Sequence, residues 1–152
     1  MKPCFTALCA VLTLLVLPLL VLPLPAAVAH DGASGVVKER MDLYKRNQTN
    51  LKAIRRHMQQ GAWDAVPPLA NQIADWADRM KDYFPEGSGA SPSEASPRIW
   101  EDWDGFLKAA EANGRAARAM TAAAAAGDAA GLEQAFIATA NSCKGCHQSY
   151  RR

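Results

Sequence analysis

Apolar residues in this chain return every three or four positions, and they do so in four separate blocks. From about Ser34 to Gln60, one side carries Val37, Met41, Tyr44, Leu51, Ile54 and Met58. A second block carries Val66, Leu69, Ile73, Trp76 and Met80, and a third carries Ile99, Trp103, Phe106, Ala110, Asn113, Ala117, Met120 and Ala124. The fourth carries Leu132, Phe136, Thr139, Cys143, Cys146 and Tyr150. This spacing lines each set along one face of a helix, and no block shows the period-two alternation of a strand. An isolated helix cannot bury such a stripe, so the four must pack on one another.

The punctuation between blocks agrees. Gly61 ends the first, and Asp64 is expected to cap the second, where Pro67 and Pro68 are tolerable only in the first turn. Ser96-Pro97 opens the third block, and Gly127-Asp128 supplies a stop and a new cap before the fourth. These joints are short and predict antiparallel neighbours; Pro85 to Ser96, rich in Gly, Ser and Pro, predicts a longer, mobile link. The expectation is an all-α, antiparallel four-helix bundle.

The N-terminal segment belongs to a different class. Lys2 is followed by an apolar run from Phe5 to Leu17, then prolines, then Ala27-Val28-Ala29. A charged start, an apolar middle and a small-x-small end predict a secretory signal peptide over residues 1–29, cleaved after Ala29. A retained anchor is the competing reading, since Phe5 to Leu24 could nearly span a bilayer; Pro18 and Pro23 inside it argue otherwise. Residues 30–152 then form the mature domain, expected in the periplasm with no membrane attachment. A net charge of +2, with Lys+Arg 17 against Asp+Glu 15, gives no basis for a nucleic-acid partner.

Of the four cysteines, Cys4 and Cys9 leave with the leader. The other two stand in Cys143-Lys144-Gly145-Cys146-His147. On a helix the three ligating side chains share one face, so two thiols could add to the vinyl groups of a haem while the imidazole reaches its iron. The pattern reads as c-type haem attachment with His147 as axial ligand. A disulfide is awkward at helical spacing, a thioredoxin-like pair expects a βαβ setting, and a zinc site lacks further ligands beyond His30 and His57. No Met or His follows His147, so a sixth ligand, if there is one, must come from an earlier helix.

With this motif in this setting, the chain resembles a class II cytochrome c, specifically the cytochrome c′ family. Val37-Lys38-Glu39-Arg40, Pro97-Arg98-Ile99-Trp100 and the run from Cys143 to Arg151 carry the resemblance, which covers essentially the whole mature chain. It implies one covalent haem c inside the bundle, near the C-terminal motif, commonly in a homodimer. It implies that His147 is the proximal ligand, that Arg151 lies beside the proximal face, and that Arg40 approaches a haem propionate. Met41 and Glu94 fall at positions that touch the haem edge in relatives.

Four residues after Arg40 the family places either a bulky non-ligating residue or a ligating Met; here the position is Tyr44. A neutral phenol ligates iron poorly, its pKa being about 10. The expectation is therefore five-coordinate iron screened by Tyr44, binding NO or CO or exchanging single electrons with a redox protein, with no catalytic residue and no enzymatic activity. The alternatives are a six-coordinate electron carrier with Met41 as sixth ligand, and a haem-free thiol or structural bundle. Without its haem the fold should leave an internal space near Tyr44 and His147.

Overall fold

A computed structural model describes residues 32–152; the leader and its cleavage site lie outside the described residues. The chain folds into α1 (Gly35–Gln60), α2 (Val66–Arg79), a four-residue α3 (Arg98–Glu101), α4 (Trp103–Ala125) and α5 (Ala129–Tyr150). The four long helices run antiparallel in sequence order, as the four stripes require. Among the described residues there is no strand, only an isolated bridge between Ala95 and Arg151.

The helix ends follow local chemistry. Gly61 closes α1 at φ 69°, where a side chain would be strained, and its N–H bonds back to the last turn. Asp128 caps α5 by accepting from the Gly131 N–H at 2.9 Å. Two expectations need correction. Asp64 does not cap α2: it lies in a 3₁₀ turn, Trp63–Ala65, that leads directly into α2, and its side chain makes no cap bond. The third stripe is not one helix either. The backbone breaks at Asp102, whose carboxylate caps α4 through the Gly105 N–H at 3.2 Å.

Burial separates into two clusters at opposite ends of the bundle. One gathers Ile54, Val66, Ala70, Ile73, Ala117, Met120, Leu132 and Phe136 where α1 ends and α5 begins. The other gathers Trp76, Met80, Phe84, Ile99, Phe106 and Tyr150, with Tyr44 and Cys146 packed against it. A fully buried side chain such as Ile54 or Phe106 contributes about 1.5–3 kcal/mol. Small residues let α2 and α4 approach closely: a Cβ on Gly114 would stand 3.2 Å from that of Ala77. No extended backbone contact joins α1 to α5, although they are neighbours in a bundle of this order.

Candidate functional site

The last three turns of α5 present the site's nucleophiles. Cys143 and Cys146 are both free thiols, half-buried, one helical turn apart. Cys143 Sγ accepts from Asn113 Nδ2 at 3.4 Å, and the same amide donates to Ser142 Oγ at 2.9 Å. The inward-facing Asn113 of the third stripe is thereby accounted for: it fixes the first cysteine from α4. Burial pushes the Cys143 thiol up, against the opposing hydrogen bonds from Asn113 and Ser142. Burial, then the neighbouring Cys143, pushes Cys146 up to about 11. Both groups are neutral near pH 7, so conversion to neutral thioethers would strand no charge.

His147 is exposed on the next position of α5. Partial desolvation first, then the Arg151 guanidinium, holds its imidazole below the ordinary range, and Glu94 pulls the other way. The neutral imidazole, which is the metal-ligating form, is thus favoured. Because His147 faces outward, the space between it and Tyr44 is not the internal one expected. Two clefts among the described residues, of 260 and 150 Å³, lie elsewhere: one beside Arg55, Trp63 and Phe136, the other beside Val37, Ser88 and Pro92.

Across from α5, α1 brings Arg40 and Tyr44 to the same end. Arg40 is 3% exposed, which excludes a solvated surface charge. Its guanidinium donates to the Tyr83 carbonyl at 2.9 Å, to Ser88 Oγ at 2.8 Å, to Ser93 Oγ at 2.6 Å and to the Ser88 carbonyl. It also lies 4.4 Å from the centre of the Phe84 ring. Every one of these partners is neutral, and desolvation lowers the Arg40 pKa. Tyr44 packs with Cys146 against the same buried cluster, and burial drives its phenol far above the ordinary range. Its hydroxyl donates to Met80 Sδ at 3.3 Å, and its ring stands edge-on to Trp76 at 5.1 Å. Met41 is half-buried and belongs to neither core cluster.

Glu94 and Arg151 meet each other at the rim. Arg151 Nε donates to Glu94 Oε2 at 2.7 Å, with a second guanidinium nitrogen on the same oxygen. The link from Pro85 to Ser96, expected to be mobile, is fastened to the chain end. The Ser96 N–H donates to the Tyr150 carbonyl and the Arg152 N–H to the Glu94 carbonyl, both at 2.9 Å. Arg40 holds its Ser88 and Ser93, and Trp100 Nε1 donates to the Phe84 carbonyl at 3.0 Å.

A family model described as Cytochrome C′ matches residues 35–151. The chain belongs to the cytochrome c′ family. A cytochrome c′ of Pararhodospirillum photometricum is 37% identical over 83 residues, which span 54% of this chain and 66% of that relative's own length. A cytochrome c-556 of Agrobacterium tumefaciens is 32% identical over 121 residues, covering 78% of this chain and 98% of the relative. The crystal structure of cytochrome c′ from Thermochromatium tepidum superposes with a TM-score of 0.68 at 30% identity, over 76% of this chain and 93% of that one.

Cytochromes c′ are four-helix bundles that bind haem c covalently, and haem c is the cofactor of this chain. The residues present fit that group. Two free thiols and an imidazole share one helical stretch, and a buried guanidinium stands without a carboxylate among its partners. The Nε1–H of Trp76, 1% exposed, is buried with no hydrogen-bond partner among the described residues. In the sequence Trp76 and Met80 are members of an apolar stripe, and nothing marks Ser88 and Ser93. The serines had no periodic pattern to mark them; Arg40 reaches them across a loop some fifty positions away.

Proposed function

We propose that this chain is an exported, five-coordinate cytochrome c′, residues 1–29 being its cleaved leader and residues 30–152 its haem domain in the periplasm. Cys143 and Cys146 hold the haem through thioethers, and His147 ligates its iron as the neutral imidazole. Haem iron supplies one-electron redox chemistry and, at an open coordination position, affinity for diatomic gases. Arg40 offers its buried positive charge to a propionate carboxylate, a charge-assisted pairing that its present neutral partners do not supply. Arg151 stands beside His147 on the proximal side, and Glu94 fixes it there by an ion pair. Met41 and Glu94 border the haem edge.

The reading is carried by one observation above the others: the Tyr44 phenol packs, with Cys146, against one buried cluster and donates its only proton to Met80. A ring held that way screens the sixth position from water and anions while admitting a small neutral gas. Burial keeps the phenol protonated, so Tyr44 is not a competing ligand. The protein would bind NO or CO, or exchange electrons with a redox protein, as a homodimer. No residue here is assigned to acid–base or nucleophilic catalysis.

The test begins with covalency. Protein made in a haem-attaching host should keep its chromophore through acid and organic extraction, and a double Cys143→Ser, Cys146→Ser variant should lose it. Extractable haem alongside two titratable thiols would defeat the proposal. Ferrous protein should take up one CO per chain, and Tyr44→Ala should speed that association about tenfold or more, equivalent to removing roughly 1.4 kcal/mol of barrier.

A further inference from the structure

Met80 opens the 3₁₀ turn Met80–Tyr83 that follows α2 and is 4% exposed. Its thioether receives the Tyr44 hydroxyl at 3.3 Å. The Tyr44 ring is held laterally as well, edge-on to Trp76 at 84°, and Trp76 is itself edge-on to Tyr83 at 5.1 Å. The phenol is therefore fixed at its tip by one residue and along its side by another. A phenol carries a single O–H donor, and a thioether is a weak acceptor. While that proton lies on Met80, it is not available to anything else near the ring.

We propose that Met80 is a positioning residue for Tyr44, tethering its hydroxyl so that Tyr44 presents its ring, and not its O–H, to the distal side of the haem. This rests on the reading that Tyr44 screens the sixth position. The tether gives the site its selectivity: neutral diatomics that need no donor are accepted, while ligands that depend on donation from the pocket gain nothing from the one hydroxyl present. Being weak, the bond is also the place where a single substitution frees the Tyr44 hydroxyl as a donor. Met80→Leu keeps the apolar volume and removes the acceptor. The freed hydroxyl then turns to the next acceptor in reach, a gas molecule bound in the pocket.

The experiment uses ferrous holoprotein saturated with CO and reads the CO stretch by infrared spectroscopy, together with the CO dissociation rate. In Met80→Leu the stretch should fall, because a donor on the CO oxygen strengthens back-donation from iron, and dissociation should slow severalfold. In a Tyr44→Phe background the same Met80→Leu change should move neither quantity, which a merely structural role for Met80 would not produce. If Met80→Leu retains the parental stretch while Tyr44→Ala accelerates CO association, the tether is overturned and the screening role of Tyr44 stands. If Tyr44→Ala alters nothing, both fall. Should Met80→Leu fail to fold, the unsubstituted CO-bound protein, which is diamagnetic, decides by NMR. A nuclear Overhauser contact between the Tyr44 hydroxyl proton and the Met80 ε-methyl is expected, and a freely exchanging hydroxyl with no such contact overturns the tether.

Discussion

Arg40 is a buried cation whose partners are two serine hydroxyls, two carbonyls and an aromatic face. Truncating it leaves those acceptors without a donor, so Arg40→Ala should lower stability by about 2–4 kcal/mol, measured by urea unfolding. Arg40→Lys should recover little of it, since one ammonium cannot reproduce the forked geometry. Tyr44 gives a prediction in pH. Its folded pKa is raised, so the unfolded chain loses the phenolic proton first; stability is intact below about pH 10 and falls as pH rises beyond it. Tyr44→Phe should flatten that alkaline loss, as followed by thermal unfolding of the holoprotein between pH 9 and 11. At this scale the sequence was legible where chemistry is local. Cys143, Cys146 and His147 sit within five positions and share one stretch of α5, the spacing that the proposed haem attachment requires. Met80, Trp76, Ser88 and Ser93 were not legible, because their roles come from partners on other elements.

Between elements, Asp102 joins the start of α4 to the end of α5. Its carboxylate accepts from the Gly105 N–H and from the Tyr150 hydroxyl, the latter at 2.8 Å. Asp102→Ala removes a helix cap and an interhelix bond and should cost about 1–3 kcal/mol. Gly105 is bound into the same arrangement, since a Cβ there would run into the Asp102 carboxylate and the Tyr150 hydroxyl. Gly105→Ala should therefore be destabilising despite alanine's better helix propensity, and paired urea titrations of the two variants would show it. The four stripes are helical in character because three-and-four spacing has no other periodic solution, although the third is divided between α3 and α4. The break at Asp102 was hidden because Ile99, Trp103, Phe106 and Ala110 keep that spacing straight through it. Asp64 misled for a related reason: an acidic residue near a helix start is a cap only if its backbone is extended, and here it lies in a 3₁₀ turn.

Over the whole molecule, α1–α2, α2–α4 and α4–α5 pack backbone to backbone, whereas α1 and α5 meet through side chains, with Arg55 lying 5.7 Å from the centre of the Phe136 ring. The thiols on α5 and Arg40 with Tyr44 on α1 stand at the same end of the bundle, around one buried cluster. Around its rim, residues 85–96 and the chain end hold each other through backbone bonds and the exposed Glu94–Arg151 pair. An exposed pair of this kind contributes only about 0–1 kcal/mol. Deleting Arg151 and Arg152 should accordingly change global unfolding little and speed limited proteolysis within residues 86–91 severalfold. The bundle was readable from periodicity, whereas the fastening of this link was not, because Gly, Ser and Pro report turns and say nothing of what a turn docks against.

A His147-ligated haem whose sixth position is screened by Tyr44 and left without a protein ligand has a characteristic optical spectrum, to be read from the purified ferrous holoprotein at pH 7. A broad, high-spin, five-coordinate spectrum, unchanged by Met41→Leu, is the predicted result. A sharp low-spin α band would contradict it, and loss of that band in Met41→Leu would identify Met41 as the sixth ligand instead.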